Sequence, residues 1–144
     1  IIKMADENVK FNLAVSLHSA VEETRNKIMP FTIKFPLTDL KEAIKYWYNK
    51  TQKIVTYEYI VWKGINDDMN HINALVDFCK SSPSKVNIIE YNKTSNDFFI
   101  SADDSIIKKY IEELESNRIP VTIRKSRGKD IDAACGQLAN KLKQ

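Results

Sequence analysis

The chain has 144 residues, 43% of them hydrophobic and 28% charged, with a formal net charge of +3. That composition fits one domain with a real core, and the mild basicity permits an RNA partner without requiring one. No run of about 18 apolar residues occurs, which excludes a helical membrane span, and two cysteines, Cys79 and Cys135, are too few for a disulfide framework.

The opening Ile1-Ile2-Lys3-Met4-Ala5-Asp6 is too polar for a signal peptide, so a reducing, cytoplasmic setting is expected. The first residue is not Met, which reads as a piece cut from a longer product. Residues 12–17 form a short apolar strand, and residues 22–29 a helix stopped by Pro30. Leu40, Ala43, Ile44, Trp47 and Tyr48 give the i, i+3, i+4, i+7 stripe of a helix over 39–49, with Thr38 or Asp39 as its cap. Residues 53–62 are rich in β-branched and aromatic side chains and predict a strand. After the turn at 63–68 comes a helix with Ile72, Leu75, Val76 and Cys79 on one face. His71, at its start, is expected to be solvated. Residues 85–91 are the third strand, and 103–117 a helix with Ile107, Tyr110, Ile111 and Leu114 inward. A fourth strand spans 121–124, a turn 126–128, and a last helix 131–142.

Strands therefore alternate with helices four times. The pattern predicts an α/β fold of repeated βα units with parallel strands and right-handed crossovers. Such sheets gather ligands at the C-terminal ends of their strands. The residues to inspect are Ser16 to His18, Gly64 to Asp67, those from Asn92 onward, and those from Arg124 to Cys135.

The stretch Arg127-Gly128-Lys129-Asp130-Ile131-Asp132-Ala133-Ala134-Cys135-Gly136-Gln137-Leu138 resembles the C-terminal signature of the RlmN/Cfr family. These are radical S-adenosylmethionine (SAM) enzymes that methylate an adenosine of large-subunit 23S ribosomal RNA. Ser16-Leu17-His18, Met29-Pro30, Tyr57-Glu58-Tyr59, Gly64-Ile65-Asn66-Asp67 and Lys85-Val86-Asn87-Ile88-Ile89 running to Asn92 resemble the family in the same order. Together they cover nearly the whole chain from about residue 12. The resemblance implies the C-terminal half of a partial (βα) barrel, spanning residues 1–144, with the cluster-binding N-terminal half absent. It matches Ser16, Leu17, His18 and Asn92 to SAM-contacting positions, and Cys135 to the cysteine that carries the transferred methyl. Glu90-Tyr91 stand before Asn92 where the family usually has Pro-Phe. Arg124-Lys125-Ser126-Arg127-Gly128 look nearer to the branch that methylates carbon 2 of adenine than to the one that methylates carbon 8.

The implied chemistry is a detour around an electron-poor carbon. A cysteine takes a methyl from one SAM; a second SAM, cleaved reductively at a 4Fe-4S cluster, yields a radical that activates that methyl. An upstream cysteine then releases the product by forming a disulfide. A thiol suits the carrier role because its thiolate is a strong nucleophile near neutral pH. The family's CxxxCxxC motif, glycine-rich SAM segment, second cysteine and general-base glutamate are not in these 144 residues, so the piece is expected to be inactive alone. Ribosomal RNA, transfer RNA as a second substrate, and a reducing electron donor are the implied partners.

Plainer readings stand beside these. On spacing alone Cys135 is a buried helix cysteine, because Ile131, Ala134, Cys135, Leu138 and Leu142 share a stripe; the signature reverses that. If Asp132 caps this helix, Cys135 sits in its first turn, where free amides favour a thiolate. Cys79 matches no family cysteine and is a packed core residue. Arg124, Lys125, Arg127 and Lys129 are either a wet surface or, beside the catalytic cysteine, RNA-phosphate contacts. Trp47 and Tyr48 belong to a core stripe. A sheet cut from a larger barrel leaves its first strand without a neighbour, so self-association, or pairing of residues 1–10 with that edge, is expected. The rival reading is a non-enzymatic α/β module that binds RNA or a partner through its last basic loop.

Overall fold

The computed structural model of the chain describes residues 1–93 and 98–125. Its elements run α1 (Ile2–Asp6), β1 (Ala14–Ser16), α2 (Glu22–Ile28), a 3-10 helix (Pro30–Lys34), α3 (Leu37–Thr51), β2 (Val55–Tyr59), α4 (Met69–Cys79), β3 (Ser84–Ile89), α5 (Asp104–Ser116) and β4 (Val121–Arg124). The four strands form one sheet in the order β1-β2-β3-β4, every pair parallel. Each crossover steps to the next strand on the same side, which is the winding of a βα-barrel segment and not of a doubly wound sheet. The predicted helix over 131–142 lies outside the described residues.

One face of the sheet carries the core. Val55, Tyr57 and Tyr59 of β2 and Val86 and Ile88 of β3 are buried against Ile44 and Trp47 of α3, Ile72, Leu75, Val76, Phe78 and Cys79 of α4, and Tyr110 and Leu114 of α5. The stripes read from the sequence are the ones that face inward. Trp47 is fully buried; Tyr48 is only partly so. The alternate residues of the strands are different. Ala14, Ser16, Thr56, Glu58, Lys85, Asn87, Thr122 and Arg124 are half-buried or exposed. Parallel sheets are usually covered on both faces; here the second face is polar and open.

Four expectations need correction. Helix α3 begins at Leu37, not at residue 39, and neither Thr38 nor Asp39 caps it. Pro36 holds the N-cap position, and the Leu37 amide donates to the Glu22 carboxylate of α2 at 2.8 Å. Strand β2 ends at Tyr59 although the apolar run continues to Trp62. The reason is competition for donors: the Ile60 amide donates to Nδ1 of His18 at 3.1 Å and the Trp62 amide to Oδ1 of Asn66 at 2.7 Å, so neither is left for a ladder. His71 is buried, not solvated. Its ring bonds Oδ1 of Asp68 at 2.8 Å and Oγ1 of Thr24 at 2.9 Å, tying α4 to α2. Residues 1–10 do not extend the sheet; Ile2–Asp6 is a helix that packs on α3.

Candidate functional site

The loops that follow β1, β2 and β3 meet at one end of the sheet, as parallel strands require. Ser16 is the last residue of β1, pairs in register with Glu58 and is exposed. Leu17 is fully buried and its amide donates to the Glu58 carbonyl at 3.0 Å. At His18 the backbone turns into the left-handed region with φ 54°. That costs a non-glycine residue some free energy, and here three bonds hold it. Nδ1 of His18 accepts the Ile60 amide, the His18 carbonyl accepts Nδ2 of Asn66 at 2.8 Å, and the His18 amide donates to the Glu58 carbonyl at 3.4 Å.

Because Nδ1 is an acceptor, the ring is neutral with its proton on Nε2. Burial, and then the positive charge of Arg25, push the His18 pKa down to about 4. His18 thus presents a neutral donor at the end of β1.

Asn66 is the residue that spacing did not single out. It is fully buried and all its polar groups are used. Nδ2 donates to the His18 and Ile60 carbonyls at 2.8 and 2.9 Å, Oδ1 accepts the Trp62 amide, and its carbonyl accepts the Tyr110 hydroxyl. One side chain therefore joins the β1 loop to the β2 loop, and its backbone ties both to α5. A buried amide this well satisfied fixes geometry, because losing it would orphan several groups at once. In the sequence it stands only within the stretch Gly64 to Asp67, which follows the second strand and resembles the family, and no role is assigned to it there.

An aromatic chain links the loops after β1, β2 and β3. The ring of His18 lies edge-on to Trp62 at 5.6 Å, Trp62 meets Tyr91 at 5.9 Å and Phe99 at 5.1 Å, and Tyr91 meets Phe99 at 6.4 Å. Asn92 follows Tyr91 and is half-buried, with Nδ2 donating to the Glu90 carbonyl at 3.4 Å. Residues 98–102 return across this end: the Lys63 amide donates to the Ile100 carbonyl at 2.8 Å and the Ala102 amide to that of Val61 at 3.2 Å. A cavity of about 300 Å³ is lined by Thr24, Lys27, Ile28, Gly64, Ile65 and Phe99.

Arg124 ends β4, its carbonyl accepting the Glu90 amide at 3.0 Å, and both it and Lys125 are exposed. The structure brings Ser16, Leu17 and His18 to the same sheet end as Asn92 and Arg124. Cys135, Arg127 and Lys129 lie outside the described residues. Cys79 is buried in α4, where desolvation pushes its thiol up to about 12. It is a packing residue, not a nucleophile.

The residues fit SAM in kind. Glu58 is a half-buried carboxylate with no cation within salt-bridge distance among the described residues, and the Trp62 Nε1 donor is buried with no partner among them. A cationic nucleoside brings a charge for the first and acceptors for the second. An iron–sulfur cluster does not fit this stretch: two cysteines cannot supply three thiolates, and the described residues contain no group of three His, Cys, Asp or Glu able to hold a metal.

No family model matches the chain. It is 63% identical to the probable dual-specificity RNA methyltransferase RlmN of Flavobacterium psychrophilum over 139 residues, which are 96% of this chain and 40% of that protein. It is 43% identical to the protein of the same name from Salinibacter ruber, over 95% of this chain and 38% of that one. The chain thus spans about two fifths of the length of the curated relatives it matches. A crystal structure of a radical SAM methyltransferase from Sphaerobacter thermophilus superposes with a TM-score of 0.89 at 32% identity, covering 94% of this chain and 40% of that one. A domain of pyruvate-formate lyase-activating enzyme from Bacteroides vulgatus shares the fold, with a TM-score of 0.64 at 15% identity over 85% of this chain and 72% of that one.

Proposed function

We infer from its membership of the RlmN family, to which this chain belongs over nearly its whole length, that it forms the C-terminal half of the catalytic barrel of a radical-SAM RNA methyltransferase. The site reading rests on one observation: Ser16 to His18, Asn92 and Arg124 converge at the strand ends of a parallel sheet. The finer assignment is methylation of carbon 2 of an adenosine in 23S ribosomal RNA, with transfer RNA as a second substrate, in the cytoplasm. SAM supplies the methyl group and, at a 4Fe-4S cluster held outside these residues with an electron donor, the radical that activates it.

The chain's own residues divide the remaining work. Ser16 offers a hydroxyl and His18 a neutral ring donor to the cofactor, and Leu17 anchors the turn between them in the core. Asn92 offers an amide from the far side of the aromatic chain. Arg124, Lys125, Arg127 and Lys129 carry positive charge to the RNA backbone, where it supplies affinity more than sequence choice. Cys135, on the segment that follows β4, attacks the SAM methyl as a thiolate. The new S–C bond forms as the sulfonium–methyl bond breaks, and the electron pair leaves on neutral S-adenosylhomocysteine.

The test uses the full-length enzyme. Cys135→Ala should abolish RNA methylation, and peptide mass spectrometry of the wild type should find a methyl group on Cys135. Cys79→Ala should keep the activity and cost only packing, on the order of 1 kcal/mol. Normal methylation by Cys135→Ala would overturn the assignment; loss of activity in a well-folded Cys79→Ala enzyme would move it to the other sulfur.

A further inference from the structure

The open face of the sheet carries a polar row that starts at Ser16 of the site described above and runs across the sheet. Ser16, Glu58, Asn87 and Thr122 occupy one register line across all four strands. Three of them are joined by directed hydrogen bonds. The Thr122 hydroxyl donates to Oδ1 of Asn87 at 3.0 Å, which fixes the amide so that Nδ2 faces Glu58, and Nδ2 donates to Oε1 and Oε2 of Glu58 at 3.2 and 3.0 Å.

In these three residues the donors run one way, from Thr122 to Asn87 and from Asn87 to the Glu58 carboxylate. A carboxylate has about four lone-pair positions, and one donor nitrogen leaves most of them open. Lys85 and Arg124 lie on the same face, yet no lysine, arginine or histidine among the described residues comes within 4.0 Å of Glu58. Half-burying an anion without a counter-charge is costly, and covering this face would raise the cost. The row is therefore built to hold a negative charge in place for a positive one.

We propose that Glu58, held by Asn87 and Thr122 in register with Ser16, is a cofactor-binding residue whose carboxylate faces the sulfonium charge of SAM. This rests on the functional reading above, which places the cofactor at Ser16 to His18. The sulfonium is what SAM has and its demethylated product lacks, so a carboxylate at this point favours the methyl donor over S-adenosylhomocysteine. It would help a spent cofactor leave.

Equilibrium dialysis of the full-length, cluster-loaded protein against SAM and against S-adenosylhomocysteine reads this directly. Glu58→Gln keeps the shape and can still accept from Asn87, so the sheet should stand. It should weaken SAM binding roughly tenfold, as expected for one partly screened charge contact. S-adenosylhomocysteine binding should change by less than about twofold on the same grounds, since that ligand lacks the charge. Thr122→Val, at an exposed position, frees the Asn87 amide and should shift the same selectivity in the same direction by a smaller factor. An equal loss for both ligands would overturn the proposal in favour of a contact to the ribose or of packing. Unchanged binding would overturn it in favour of a basic side chain as the partner of Glu58. If the wild-type protein itself bound no SAM, the functional reading would fall first and this inference with it.

Discussion

His18 is a residue whose role comes from its surroundings. Its unfolded pKa is near 6.5, whereas burial and Arg25 hold the folded ring near 4. Above pH 6.5 both states are neutral and the folded chain has its full stability. Between pH 6.5 and 4 the unfolded chain takes up a proton that the folded ring refuses, so stability falls as the pH drops. The loss approaches about 3 kcal/mol near pH 4. Thermal melts across this range should show the decline, and His18→Asn, which tolerates the left-handed φ without titrating, should flatten it. A wild-type curve parallel to that of the variant would refute the assignment. Cys79 is the opposite case, a titratable group that burial has made inert.

At the scale of elements, the first turns of two helices are secured by carboxylates at different removes. Asp68 caps α4 from its own N-cap position, accepting the His71 amide at 2.9 Å and also bonding its ring. Glu22 caps α3 from another helix, 15 positions away in sequence. Glu22→Ala should cost about 1 kcal/mol and Asp68→Ala about 2, because the second also releases a buried ring. Denaturant unfolding with unchanged slope would measure both; a Glu22→Ala chain as stable as the parent would mean that solvent replaces the cap at no cost. The end of β2 shows the same economy of donors. His18 and Asn66 take the amides of Ile60 and Trp62, and the chain leaves the sheet where two side chains accept it.

For the molecule as a whole, the sequential order leaves β1 at one edge with no strand beyond it among the described residues, and Phe31, Ile33 and Phe35 stand 68%, 65% and 61% exposed just after α2. Open strand edges and clustered apolar side chains recruit other chains. The isolated 144-residue chain should self-associate, with a mass in light scattering that rises with concentration. A strictly monomeric particle at high concentration would count against this. The polar second face of the sheet is left uncovered among the described residues, and on the functional reading proposed above it is the face that a cofactor would meet.

The sequence by itself determined the alternation of strands and helices, the inward stripes of α3, α4 and α5, and β4 to the residue. Those features follow from local periodicity and from side chains whose burial any compact fold would demand. It also placed Ser16 to His18, Asn92 and Arg124 at or after strand ends that lie together in the sheet, since parallel strands must bring their ends together. What only the tertiary structure decided are relations between distant residues. Glu22 as the cap of α3, the buried His71, the early end of β2 and the Asn66 junction each depend on a partner supplied by another element. The row from Ser16 to Thr122 depends on register, and parallel register is set by how crossovers pack, which no local pattern encodes. Hydrogen bonds of this kind are made by side chains that could be satisfied equally well by water, so their composition gives no warning of where they will be buried.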